Sequence, residues 1–192
     1  MLSVAKRCPA RHRGTVPAPA GADAVRVAVD GVDGSGKSVF ADQLAGVLRE
    51  QARPVVRASV DDFHHPRVQR YRRGRSSPSG FWLDSFDDRL RHDLLNPLGP
   101  GGSRRYRTAV HDLDTDRHLD LPWVVGPPGV VLVLDGLFLH RDELHDLWEM
   151  SVFLEVPFDV TAARMAARDG SNRRRTIRTS TTDATCSARF TR

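Results

Sequence analysis

Residues 31–38 run Gly31-Val32-Asp33-Gly34-Ser35-Gly36-Lys37-Ser38, which sets a Lys-Ser pair behind three glycines at the spacing G-x4-G-K-[ST]. Glycines allow successive backbone N–H groups to curl round phosphate oxygens with no Cβ in the way, and a helix starting beyond them adds partial positive charge. The stretch from Gly31 to Val39 is therefore expected to cradle the phosphates of a nucleoside triphosphate. Lys37 would reach the β- and γ-phosphates and the Ser38 hydroxyl would ligate Mg²⁺. A plain glycine-rich turn with an exposed lysine is the competing reading. Lysine occurs elsewhere only at Lys6 among 29 basic residues, a usage that codon bias explains and that draws attention to Lys37.

Two acidic positions follow. Asp61-Asp62 closes a β-rich stretch, and ligands of open α/β sheets bind beyond the carboxyl ends of strands. One of these carboxylates can accept a proton from an attacking hydroxyl, and either can hold Mg²⁺ directly or through water. Capping of the next segment is the alternative use of such a pair. Asp135-Gly136 follows the apolar run 130–134, the arrangement of a Walker-B acid at the end of a buried strand, although Asp-Gly also serves as an ordinary turn. Ser38, Asp62 and Asp135 are the expected metal ligands.

These residues need strands and a helix to deliver them. Val25, Val27 and Val29 alternate with Arg26 and Ala28, which predicts a strand running into the glycine loop. Phe40, Leu44, Val47 and Leu48 fall on one helical face, so an amphipathic helix is predicted after Ser38, closed by Pro54. A second strand is predicted over 54–60. Residues 64–80 are Arg-, Ser- and Gly-rich and longer than an ordinary connection, as functional or disordered loops are. A helix is predicted over 84–95 with Phe86, Leu90 and Leu94 on one face, and short strands or loop over 104–121. The run 129–135 suits a strand buried on both faces of a parallel sheet. A short helix over 142–149, a strand over 151–156 and a helix over 159–168 complete the alternation of an α/β domain with a mostly parallel central sheet.

Composition narrows the function classes. At 192 residues, 40% hydrophobic and 28% charged, the chain suits one domain that needs no disulfide or metal staple. Cys8 and Cys186 lie in polar, Arg-rich ends, outside any zinc or disulfide spacing, which fits a reducing cytoplasm. No apolar run approaches the roughly 20 residues of a membrane span. Residues 1–22 read as a disordered basic leader without the apolar stretch of a secretory signal. The net charge of +5 is confined to the ends: residues 1–21 carry +4, residues 171–192 carry +5, and the body between them carries −4. That distribution argues against a nucleic-acid groove and leaves a small molecule as the expected partner.

The segments DGVDGSGKS, SVDDFH, DSFD, VLDG and AARD resemble, in this order, the uridine kinases and their P-loop relatives, the pantothenate kinases and phosphoribulokinases. The resemblance spans about residues 24–170 and is strongest to the uridine-kinase-like branch, through RYRRG, SPSGFWLDSFD and PLGPGGSRRYR. It implies a P-loop NTPase three-layer fold over a kinase domain at 23–170, with ATP and Mg²⁺ as cofactors. It further implies phosphoryl transfer to a hydroxyl of a small metabolite, a pyrimidine nucleoside first. Asp61 matches the family's base on the sugar 5′-hydroxyl, Asp135 its second acid near Mg²⁺, and Arg168 one of the lid arginines. A homo-oligomer is compatible with the resemblance.

The chain also departs from that pattern. Nucleoside-phosphorylating members place an Asp for the ribose hydroxyls where Phe81 stands, a His near Asp116 and a helix Arg at Met165. His64 occupies a position where the family often has an aromatic near the acceptor, and it reads either as such a group or as an exposed loop histidine. Residues 171–192 hold only Ile177 and Phe190 as large apolar residues and are expected to be disordered. Two readings fit this tail: a truncated or frame-shifted lid, or a lid in which Arg173, Arg174 and Arg175 clamp the transferred phosphoryl group. Another acceptor such as pantothenate or a sugar phosphate, or a nucleotide-binding protein inactive through an incomplete lid, remain as alternative functions.

Overall fold

The strand into the glycine loop, β1 (Val25–Gly31), is buried along its whole length in the computed structural model, which describes residues 15–74, 77, 82–86, 88–168 and 187–191. It lies at the centre of a five-stranded sheet ordered β2-β7-β1-β8-β9, with β2 at Val55–Ser59, β7 at Val131–Gly136, β8 at Met150–Glu155 and β9 at Ser187–Thr191. The first four strands are parallel and β9 is antiparallel to β8. Alternation along the central strands sends side chains to both faces. Val25, Val27, Val29, Val131 and Val133 meet Ala41 and Leu48 of helix α1 (Lys37–Glu50) on one side. Ala28, Leu132 and Leu134 meet Leu90, Leu94, Leu95, Leu139 and Trp148 on the other. A sheet buried on both faces makes the three layers that the pattern predicts.

Register sets the functional end of the sheet. Asp135 is level with Val29 of β1 and with Ser59 of β2, so the glycine loop, the Asp61-Asp62 pair and Asp135-Gly136 leave the sheet side by side. Arg26 is an outlier in this apolar strand. Its guanidinium donates to Glu149 Oε1 at 2.7 Å and its backbone N–H to Glu149 Oε2 at 2.6 Å. Arg26 is buried and Glu149 partly exposed, so removing the glutamate leaves a buried guanidinium without its main partner, at a cost on the order of 3 kcal/mol.

Several expectations need correction. The buried stripe of α1 is centred on Ala41, Ala45 and Leu48, with Phe40 and Leu44 on its flank and Val47 49% exposed. Alanines let the helix approach the sheet closely but contribute little to a hydrophobic pattern. The helix predicted over 84–95 is interrupted: a bridge joins Phe86 to His64, and a wide π-helical stretch, Leu90–Leu95, carries the buried leucines. Only a 3₁₀ turn, His145–Leu147, forms where a helix was predicted over 142–149. A short helix α2 (Arg67–Arg70) lies in the polar stretch after His64. The region 104–125 holds two antiparallel ribbons, β3 (Arg105–Tyr106) with β6 (Val124–Val125) and β4 (His111–Asp112) with β5 (Arg117–His118).

Parts of both ends that the composition predicts to be disordered are ordered. Val16 is buried, and the Arg53 fork donates to the carbonyls of Val16 and Pro17 at 3.1 and 2.7 Å, so the leader is anchored before residue 22. Within the tail, β9 pairs with β8 from Ser151 opposite Thr191 to Glu155 opposite Ser187. Backbone hydrogen bonding to an open sheet edge requires no large apolar side chains. Residues 1–14, Phe81 and Arg173, Arg174 and Arg175 lie outside the described residues. No helix among the described residues is long and apolar enough to cross a membrane.

Candidate phosphate and metal site

The loop from Gly31 to Gly36 turns β1 into α1. Gly34 has φ +76°, and a Cβ there would lie 2.6 Å from the carbonyl oxygen of Thr161. Thr161 belongs to helix α3 (Phe158–Arg168), which packs against the tip of the loop. Gly34→Ala is expected to lower stability by about 2 kcal/mol, from a left-handed non-glycine residue combined with a backbone clash. A urea-unfolding midpoint equal to that of the wild type would contradict this packing. Gly36, at φ +92°, opens α1, whose first turn has neither a side-chain cap nor an acidic residue. Its N–H groups therefore face an approaching anion without a competing carboxylate.

Lys37 Nζ lies 3.2 Å from Asp33 Oδ1, four residues back in the same loop. The Ser38 hydroxyl donates to Asp135 Oδ2 at 2.6 Å, joining the start of α1 to the end of β7. Asp135 is 1% exposed, and no aligned hydrogen bond reaches its Oδ1, although Arg57 Nη1 stands 2.7 Å away as an ion-pair partner. A buried carboxylate beside a serine hydroxyl at a phosphate loop, with an ion pair but no aligned hydrogen bond on its second oxygen among the described residues, has the donor set that Mg²⁺ takes. Among the described residues no three His, Cys, Asp or Glu side chains converge as a ligand cage. That too suits Mg²⁺, which usually binds through one or two carboxylates, substrate phosphates and water.

Asp61 and Asp62 lie in a 3₁₀ turn, Val60–Phe63, immediately after β2. Adjacent in sequence, they have different surroundings. The Asp61 side chain is 63% exposed and meets His64 Nε2 at 3.2 Å. His64 is buried, donates from Nδ1 to the Ser85 carbonyl at 3.0 Å and tilts against Phe86, which corrects its reading as an exposed loop histidine. Burial pushes the Asp62 carboxyl above its ordinary range, and the Asp61 charge adds to this; a Ser59 hydrogen bond opposes it, Asp135 again raises it and Arg57 lowers it.

A carboxyl whose folded pKa is raised binds more protons folded than unfolded, so stability falls as pH rises through that range. Asp62→Asn is thus expected to melt at a higher temperature than wild type at pH 7. The difference should shrink as pH falls below the carboxylate range, where both proteins are neutral at this position. Melting curves across pH check the sign.

Three further contacts support the loop. Arg164 on α3 donates from Nη1 to the carbonyls of Gly34 and Ser35 at 3.2 and 3.3 Å. Asp30, buried at the end of β1, accepts from the Gly31 N–H at 2.7 Å and from His140 Nδ1 at 2.8 Å, while His140 Nε2 meets the Ser151 hydroxyl at 2.9 Å. Arg57 reaches Asp135 and Asp42 from β2. None of Arg164, Asp30, His140 and Arg57 stands out in the chemistry of the motifs. The faint signals are an acid in the VAVDG strand end, a lone arginine in VVRAS, and Arg164 one helical turn before Arg168. Arg168 ends α3, and its side chain lies outside the described residues. Met165 packs toward Gly34. Asp116 sits in the β4–β5 turn, accepting the Arg67 N–H at 2.9 Å.

A mostly parallel sheet buried on both faces, with a glycine loop between its central strand and a helix and an acid at the neighbouring strand end, defines an α/β P-loop NTPase fold. The model of the phosphoribulokinase / uridine kinase family matches residues 26–189, and the chain belongs to this family. It is 26% identical to a uridine kinase of Tolumonas auensis over 163 residues, covering 81% of this chain and 72% of that one. A uridine kinase of Leuconostoc citreum is 25% identical over 158 residues, covering 79% and 71%. Among solved structures, one described as a possible uridine kinase from Bacillus stearothermophilus superposes with a TM-score of 0.61 at 25% identity, covering 78% of this chain and 81% of that one. A candidate fructose transport system kinase from Silicibacter sp. gives a TM-score of 0.61 at 25% identity, covering 78% and 73%. Kinase membership supports a phosphotransferase activity.

Proposed function

We propose that the protein transfers the γ-phosphate of ATP to a hydroxyl of a small metabolite, with a pyrimidine nucleoside such as uridine or cytidine as the leading acceptor. The observation that carries this reading is the 2.6 Å contact of Ser38 with Asp135 at the phosphate loop, one strand away from Asp61. The amides of residues 31–39 and Lys37 hold the phosphates, and Ser38, Asp135 and Asp62 hold Mg²⁺. The ion, when bound, neutralises phosphate charge and orients the γ-phosphoryl group. Asp61, the more exposed acid of its pair, accepts the proton of the attacking hydroxyl; His64, whose Nδ1 donates to the Ser85 carbonyl, holds that carboxylate when Nε2 is protonated as well. Arg168, the last residue of α3, is the residue assigned to the developing charge. Catalysis of this kind is mostly positioning and charge stabilisation.

A second acceptor class has its own support. Asp84 is buried and bound by Arg72 and by Arg73 Nε, the latter at 2.7 Å, with the Arg72 hydrogen bond the main cause of a carboxyl held below its ordinary range. An acid so engaged is not positioned to take ribose hydroxyls, and one structural relative is described as a fructose transport system kinase. Transfer of label from γ-labelled Mg-ATP to uridine, cytidine, adenosine, pantothenate, ribulose 5-phosphate and fructose decides the matter. Label on uridine or cytidine supports the nucleoside reading, label on a sugar or sugar phosphate the second. Tight ATP binding without transfer to any of them supports an inactive nucleotide-binding protein.

A further inference from the structure

Arg57 is the only charged residue in β2, and its guanidinium spans the proposed metal position and the exposed Asp42. Nη1 lies 2.7 Å from the buried Asp135 Oδ1 and donates to the Ala58 carbonyl, Nε donates to Asp42 Oδ1 at 2.8 Å, and Nη2 reaches the Ser38 carbonyl at 3.5 Å. One side chain thus ties β2, the first turns of α1 and the end of β7 together. Its charge is placed against the oxygen of Asp135 that Ser38 does not use.

A carboxylate 1% exposed is costly to keep charged without a partner. The guanidinium supplies one while no other cation is near. We propose that Arg57 is a built-in counter-cation of Asp135: it orients the carboxylate with Oδ2 toward Ser38, and a divalent ion entering at Asp135 must compete with it. Arg57 is a positioning residue on this account, because its contacts are to Asp135, Asp42 and backbone. Asp42, whose side chain is 68% exposed, holds the other side of the fork and draws part of its charge away from Asp135. The inference rests on the metal site of the proposed function.

Binding of Mn²⁺ to the nucleotide-free full chain, followed by the electron paramagnetic resonance signal of the free ion, reads this competition without any turnover. Arg57→Met removes the charge and keeps the stem. Its Mn²⁺ affinity should rise about tenfold, since a unit charge some 5 Å from a divalent ion matters even at the dielectric of water. Arg57→Lys keeps the charge and should stay within about twofold of wild type on the same argument. Asp42→Asn, an exposed change that leaves the core untouched, should weaken Mn²⁺ binding by concentrating the guanidinium on Asp135. It remains informative if Arg57→Met does not fold. Equal affinity in wild type and Arg57→Met, an equal rise in Arg57→Lys, or no loss in Asp42→Asn would each overturn the proposal. Asp135→Asn separates the two layers of the argument. If it leaves Mn²⁺ binding unchanged, the metal site and this inference both fail; if it abolishes binding while Arg57 has no influence, only this inference fails.

Discussion

Lys37→Ala is expected to slow phosphoryl transfer about a thousandfold, the order of loss seen when a preorganised charge facing the transition state is removed. The fold should survive. Among the described residues the side chain's ion-pair partner is Asp33, at 3.2 Å and partly exposed, and such contacts contribute at most about 1 kcal/mol. A variant with wild-type turnover would remove Lys37 from the phosphate site, and a variant with a collapsed melting transition would show that the lysine is structural. Measuring labelled transfer and thermal unfolding on one preparation distinguishes the two.

Asp61→Asn carries the second large expectation. The amide keeps the size of the side chain and a contact to His64 but cannot take a proton, so kcat should fall by roughly a thousandfold, within the range of positioned acid–base groups. ATP affinity should stay near wild type, because the phosphate loop and Asp135 are unchanged. Asp62→Asn should behave differently, weakening Mg²⁺ binding so that transfer needs a higher concentration of divalent cation, while raising stability at neutral pH. If Asp62→Asn instead abolishes transfer and Asp61→Asn retains it, the roles of the pair are exchanged. The structure gives a physical basis for the split: Asp61 is open to an acceptor, while Asp62 is half-buried and feels the charges of Asp135 and Arg57.

The motifs were legible because each is local. Gly31 to Ser38 is a contiguous loop between a period-two strand and a helix, and Asp61 and Asp135 each end a strand-length run, so the α/β alternation and the acids at strand ends follow from pattern, while the strand order does not. Contacts that cross the fold left no such trace. Arg57 is the central residue of β2 yet meets an acid 78 positions away, and Arg164 touches a loop 130 positions earlier. Helix boundaries failed where tertiary contacts override propensity. The His64–Phe86 bridge interrupts the helix predicted from Asp84, and two alanines share the buried face of α1 with Leu48 while Val47 turns outward. The strand β9 was hidden for another reason, since its composition reads as tail while its pairing is made by backbone.

The phosphate loop is fastened at both ends before any ligand arrives: Asp30 and His140 hold its entry, and Arg164 with Thr161 closes on its tip. Ordering a backbone residue costs about 1–2 kcal/mol in conformational entropy, a cost met here during folding and not on association. A nucleotide entering this loop meets donors already aligned, and its phosphates need not freeze the chain that receives them.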